Sequence, residues 1–286
     1  MILYKQKRLC PTLLFILLCA VTAPHNVQAA AGEWAQAENI KARLIAAPAG
    51  LGEQESFKAG VQLQLGKGWY TYWRVAGDAG MPPQFDWGES GNVESANVAW
   101  PVPKRKEIQG FQSFVYAQRV TFPVTVTRKD TGKDVGLKLN LQVMICKDIC
   151  IPETLDIGLS IPDDGQSGTT DAQARRIRAA ERYVPRDGNT RNLKINSAVA
   201  SKGALVITAQ AGRGFSHADV FVDIPGLALT QKPEMLVTDE KANKALFRFK
   251  TPEKVDHMQD ALRGKDVRIV LKNRNKAVAR TISFQE

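Results

Sequence analysis

The sequence predicts an all-β protein, an immunoglobulin-like β-sandwich followed by a second, smaller β-sandwich. Three observations carry this. Apolar residues recur at every second position in segment after segment, the pattern of strands with one face buried. Turn residues such as Gly66-Lys67-Gly68 and Asp130-Thr131-Gly132-Lys133 separate those segments. One stretch in the mature chain, Asp171 to Tyr183, reads as a helix, and it falls between the two runs of strands.

Residues 1–29 read as a secretory leader. Lys5, Lys7 and Arg8 give a positive start, Leu9 to Val21 is apolar, and Val27-Gln28-Ala29 supplies the cleavage positions. Leu18, before Cys19, is not the small residue that lipid attachment needs, so the mature chain is expected to be soluble. Removing the leader deletes Cys10 and Cys19, which leaves Cys146 and Cys150 as a single close pair in a compartment that permits disulfides. It also removes three positive charges and no acid, so the formal charge falls from +10 to +7. The clusters Lys104-Arg105-Lys106 and Arg175-Arg176-Ile177-Arg178 are not interleaved with aromatics as a nucleic-acid groove would be, so they read as solvated surface. No later apolar run approaches the roughly 20 residues of a membrane helix, and the mature chain is not expected to span one.

Residues 30–162 are expected to form the first sandwich. Phe57 to Leu65, Val120 to Val126, Leu137 to Val143 and Leu155 to Ile161 each alternate on a period of two. Between the first two lies a long irregular section from Arg74 to Tyr116. Together with the strand before it, this section holds Trp69, Tyr70, Tyr72, Trp73, Trp87 and Trp100. Such rings serve a sandwich core; some of them, with the 107–114 loop, could instead screen a reactive site.

Cys146-Lys-Asp-Ile-Cys150 joins the last two strands. On a straight strand the two cysteines would lie about 13 Å apart, beyond disulfide reach, so the chain must turn at Lys147, Asp148 and Ile149, and Pro152 keeps Ile151 extended. Three readings follow. A structural disulfide closing so small a loop contributes only about 2 kcal/mol. A zinc site lacks ligands, because His217 and His257 are isolated. A dithiol that cycles with its disulfide needs only a partner thiolate.

Gly68-Trp69-Tyr70-Thr71-Tyr72-Trp73, Gly77-Asp78-Ala79-Gly80-Met81-Pro82-Pro83-Gln84-Phe85-Asp86-Trp87, Tyr116 through Phe122-Pro123-Val124, and Cys146-Lys-Asp-Ile-Cys150-Ile-Pro152-Glu153 together resemble the N-terminal periplasmic domain of the DsbD and ScsB thiol:disulfide interchange proteins. The likeness covers roughly Ile40 to Ile161 and is closer to ScsB, whose pair is also Cys-x-x-x-Cys. The resemblance implies an immunoglobulin-like domain whose dithiol takes electrons from a thioredoxin-like partner and passes them to oxidised periplasmic proteins. It assigns Cys150 to the mixed disulfide with partners and Cys146 to its resolution. Glu107 to Phe114 matches a shielding cap loop with Phe111 as the covering ring, and Tyr70 and Tyr72 match aromatics beside the site. Full-length members continue into a membrane domain and a thioredoxin-like domain. The implied partners are therefore a thioredoxin-like protein or a separate membrane reductase of the DsbD, ScsB or CcdA type, with oxidised periplasmic proteins as recipients.

Residues 163–188 read as a polar linker carrying the short helix, capped near Thr170 and stopped before Pro185. Residues 189–286 resume as strands, at Ala204 to Thr208, Val220 to Ile224, Ala245 to Phe249, Val267 to Leu271 and Ala277 to Phe284, and are expected to dock or space the redox domain. The sequence therefore points to a periplasmic thiol-disulfide exchange protein with no cofactor and no metal. Two alternatives are a Cu(I) carrier using the two thiols with Met144 or Met81 and a non-catalytic two-sandwich adaptor.

Overall fold

Alternation sets which face of a strand is buried, and Cys150–Ile161 and Lys244–Lys250 follow it, whereas Tyr70–Gly77 opens with four buried residues in a row. The structure, a computed structural model, describes residues 31–48, 51–108, 110–163, 171–239 and 243–285. The leader, Cys10, Cys19 and the expected cap at Thr170 lie outside the described residues.

The first sandwich comprises β1 (Ala35–Ala37), β2 (Ile40–Ala46), β3 (Ser56–Leu65), β4 (Tyr70–Gly77), β5 (Gln84–Asp86), β6 (Val93–Val98), β7 (Lys104–Ile108), β8 (Phe111–Ala117), β9 (Arg119–Arg128), β10 (Val135–Cys146) and β11 (Cys150–Ile161). One sheet runs β1-β2-β3-β9-β6. The other runs β11-β10-β4-β8-β7, with β5 added to β10. Leu137, Leu139, Leu141 and Val143 of β10 alternate inward to meet Val61, Leu63, Phe122 and Val124 of the facing sheet in one core. Phe122 is ringed edge-on by Phe85, Trp100 and Tyr116. Of the tryptophans, Trp73 is buried in this core, and Trp69, Trp87 and Trp100, partly buried, pack against it. A buried pair closes one end: Arg128 donates to Asp163 at 2.7 Å and to the Gly52 carbonyl.

Helix α1 (Asp171–Glu181) lies against β2, β3 and β9 on the outside of the first sheet, burying Ala174, Ile177 and Ala180. Gly60 of β3 makes room for it: a Cβ there would stand 3.3–3.4 Å from Ile45, Thr121 and Ile177 side-chain atoms.

The second sandwich comprises β12 (Arg186–Asp187), β13 (Leu193–Ala200), β14 (Ala204–Ala211), β15 (Asp219–Ile224), β16 (Leu227–Ala228), β17 (Glu234–Asp239), β18 (Lys244–Lys250), β19 (Asp266–Asn273) and β20 (Lys276–Ser283), with helix α2 (Met258–Leu262) at one end. Its sheets run β12-β20-β19-β15-β16 and β13-β14-β18-β17. It has a core of its own around Leu205, Ile207, Phe247 and Ile269.

The two sandwiches share apolar contact. Phe221 of β15 belongs to the first core, where it meets Trp73 edge-on at 5.9 Å and Phe114 at 5.2 Å between ring centroids. Charge reinforces the seam. Arg105 stacks on Phe114 and Phe221, donates from Nε to both Asp219 carboxylate oxygens, and reaches the carbonyls of Val220 and Thr230. Arg74 pairs with Asp223 at 2.7 Å.

Candidate functional site

Cys146 ends β10 and Cys150 begins β11. The ladder runs in unbroken antiparallel register to the turn, with the Lys147 N–H bonded to the Ile149 carbonyl at 3.0 Å, so the two cysteines are directly opposed. Their Cα atoms stand 4.1 Å apart and the sulfurs are bonded. The turn at Lys147, Asp148 and Ile149 is the one the spacing required.

The strand pleat sets what surrounds the sulfurs. Val143 and Ile145 face the core, so Met144 and Cys146 face out of the sheet, and β4 beside them presents Tyr70 and Tyr72 on the same side. Cys146 is the register partner of Tyr70. Tyr70, Tyr72, Val115 and Cys146 form a small buried cluster of their own, with Ile108, Met144 and Ala76 packed on it. Thr71, fully buried, donates to the Met144 carbonyl at 2.9 Å and locks β4 to β10 beside the site.

The two sulfurs differ in access. Cys146 is 1% exposed, whereas Cys150 is open to solvent. The Tyr72 hydroxyl lies 3.0 Å from the Cys146 sulfur and 3.8 Å from that of Cys150. Disulfide sulfur has no proton to give, so Tyr72 is the donor. Burial, with the neighbouring Tyr70 oxygen adding to it, pushes the Tyr72 hydroxyl well above its ordinary range and keeps it protonated; burial also raises Tyr70. The Tyr70 and Tyr72 rings meet edge-on at 5.7 Å, and the Lys106 ammonium stands 5.2 Å from the Tyr70 centroid.

Lys147 lies along the backbone of Gly68 and pairs with Asp148 at 3.7 Å, both ends well exposed. A solvated pair of this kind contributes little, so the charges flanking Cys146 largely answer one another.

The loop expected to cap the site is a β-hairpin, β7 paired with β8, turning at Gly110 with φ +84°. Its inward contact comes from Ile108, which packs on the cysteine cluster. Phe111, opposite Ile108 in the register, is 55% exposed at the hairpin tip. Ile149 in the turn (65%) and Met81 after Gly80 (50%) are exposed apolar side chains as well.

A second cover was not read from the sequence. The Gly77–Pro83 loop crosses Tyr72 so closely that a Cβ on Gly80 would lie 2.1 Å from the ring's Cζ, and Gly80 also has φ +101°. Asp78 ties this loop down, accepting from the Gln112 N–H at 2.8 Å and from the Thr230 hydroxyl at 2.7 Å. The signal was present in the paired glycines of Gly77-Asp78-Ala79-Gly80; the far partner, 152 residues away, carried none.

Of the sulfur ligands considered for copper, Met144 packs on the cluster while Met81 is half-exposed in the covering loop. Among the described residues no group of three or more His, Cys, Asp or Glu converges as a metal site, and no helix is long and apolar enough to cross a membrane.

Residues 36–159 match the family model described as thiol:disulfide interchange protein DsbD, N-terminal. Residues 183–286 match a second model, described as a domain of unknown function, DUF8393. Among solved structures, the N-terminal periplasmic domain of ScsB from Proteus mirabilis superposes with a TM-score of 0.67, covering 91% of this chain and 100% of that one at 19% identity, which is a likeness of fold. No curated protein sequence matches the chain.

Proposed function

We propose that this protein, whose residues 36–159 match the model of the N-terminal domain of thiol:disulfide interchange protein DsbD, relays electrons in the periplasm through the Cys146/Cys150 pair. The reductant is a thioredoxin-like protein or a membrane reductase, and the recipients are oxidised periplasmic proteins. The observation that carries the reading is the unequal exposure of two bonded sulfurs, with a tyrosine hydroxyl on the buried one.

In the loading step a partner thiolate attacks the exposed Cys150 sulfur. The Cys146–Cys150 bond breaks, and Cys146 leaves as a thiolate that accepts the Tyr72 hydrogen bond. The partner's second thiol then attacks its own sulfur in the mixed disulfide, so the partner departs oxidised and the pair here is reduced. In the delivery step the Cys150 thiolate attacks a recipient disulfide, and Cys146 attacks Cys150 to release the recipient reduced. Both steps need Cys150 outside and Cys146 behind it. The exposed side chains of Phe111, Ile149 and Met81 supply apolar contact for a docking partner.

Trapping tests the roles. Cys146→Ser should accumulate mixed disulfides through Cys150 in periplasmic extracts, resolved on non-reducing gels. If Cys150→Ser accumulates them instead, the assignment of the two sulfurs is reversed; if neither does, the relay is wrong.

A further inference from the structure

Three elements meet around Tyr72 and the Cys146 cluster, and each is fastened to the second sandwich. The first is β4, whose register against β8 breaks between Tyr72 and Gly77. Immediately after Tyr72 the chain gives Trp73 to Phe221 and Arg74 to Asp223. The second is the covering loop, whose Asp78 accepts from Thr230. The third is the β7–β8 hairpin, whose Arg105 grips Asp219 and the carbonyls of Val220 and Thr230. Tyr72 therefore has a strand fixed to the second sandwich on one side and a loop fixed to it on the other.

The geometry points to a function for residues 183–286: this sandwich is the back-plate of the redox site, and Thr230, through Asp78 and Gly80, is a positioning residue that holds the Tyr72 hydroxyl on the Cys146 sulfur. The inference rests on the exchange reading. Thr230 is buried, its hydroxyl reaches Asp78 at 2.7 Å, and its carbonyl accepts from Arg105, so a single residue anchors two of the three elements. The Asp78 N–H also bonds the Gln112 carbonyl at 2.9 Å, which clamps the loop to β8 from both its amide and its carboxylate. Gly80 transmits the clamp because no side chain separates its backbone from the tyrosine ring.

Thr230→Val keeps the shape and removes the donor, and Thr230→Ser restores it. The readout is the rate at which dithiothreitol reduces the Cys146–Cys150 disulfide in the purified mature protein, followed by thiol alkylation, which requires no physiological partner. Dithiothreitol attacks Cys150 and Cys146 leaves, so a misplaced Tyr72 makes Cys146 a poorer leaving group. Thr230→Val should slow reduction roughly three- to tenfold, Thr230→Ser should return it to the wild-type rate, and Thr230→Val should add nothing in a Tyr72→Phe background. A rate equal to wild type, a faster rate through simple loosening, or an equal slowing in the Tyr72→Phe background would each overturn the inference. Failure of the exchange reading would look different: no partner would be trapped by Cys146→Ser, while the dithiothreitol rates still responded to Thr230.

Discussion

Replacing Tyr72 by Phe isolates the hydroxyl that faces Cys146. The ring is 1% exposed and packs in the Tyr70, Val115 and Cys146 cluster, so phenylalanine preserves the packing and deletes one donor. In the oxidised protein that donor meets disulfide sulfur, a weak acceptor. In the reduced protein it meets a thiolate, and hydrogen bonds to charged groups contribute about 1.5–3 kcal/mol. The loss therefore falls mainly on the reduced state. It should raise the Cys146 thiol pKa by about 1–2 units, and at a pH above the thiol midpoint it should make the reduction potential more negative by about 30–60 mV. The sign follows because removing stabilisation from the thiolate favours the disulfide. Tyr72 does not compete for the proton in this range, since burial holds its own ionisation well above the ordinary tyrosine value. Equilibration in dithiothreitol or glutathione buffers with alkylation of free thiols measures the potential. A Tyr72→Phe potential within about 10 mV of wild type, or one shifted in the positive direction, would refute the role given to this hydroxyl.

Three further outcomes follow from packing and charge. Arg128→Met leaves the Asp163 carboxylate buried without its cation and should cost about 3–5 kcal/mol in urea unfolding, with little effect on the potential. Phe221→Ala empties the space between Trp73 and Phe114 and should cost about 3–5 kcal/mol, lowering the transition of both sandwiches together because the ring belongs to a shared core. Tyr70, Tyr72 and Tyr116 all have raised folded-state pKa values, chiefly through burial, so their contribution is complete below pH ~10 and is lost as pH climbs from there toward the folded values. Urea midpoints read across the alkaline range should fall, and replacing Tyr116 by Phe should flatten that fall.

What was legible in the sequence is what repeats or turns. The two-residue alternation located β3, β9, β10 and β11, and the impossibility of bridging Cys146 to Cys150 along a straight strand located the β10–β11 turn. The stretch expected as a helix, Asp171 to Tyr183, is α1 to within two residues at its end. Short pairings such as β5, β12 and β16 have too few residues to show a period. The aromatic cluster was visible but not its division: Trp73 and Tyr72 are neighbours that face opposite sides of one strand, one into the core and one onto Cys146. Nothing local marked Ile108 as the residue of the hairpin that packs on the Cys146 cluster, because Phe111 is the larger ring and the register decides between them. The ties between the sandwiches, Asp78 to Thr230 and Arg105 to Asp219, span more than a hundred positions and pair residue types that are ordinary on any surface.

The same hairpin geometry bears on whether the disulfide is a staple. It joins residues already opposed at the end of a twelve-pair ladder, so reduction frees a short loop that backbone hydrogen bonds still close. The loop-entropy contribution for five residues is about 2 kcal/mol, and the ladder persists in the reduced fold. For a mature chain of this size each kcal/mol moves the melting temperature by about 2–4 °C, so reduction should lower Tm by no more than about 4–8 °C. Cys146 should keep its place beside Tyr70 and Tyr72 on reduction, because β4 and the β7–β8 hairpin bury it independently of the bond to Cys150. Scanning calorimetry of the oxidised protein, and of the same sample held reduced, decides the matter. A small shift fits a couple that opens and closes without disturbing the sandwich, whereas a drop of about 20 °C would make the bond a structural staple and remove the physical basis for a relay.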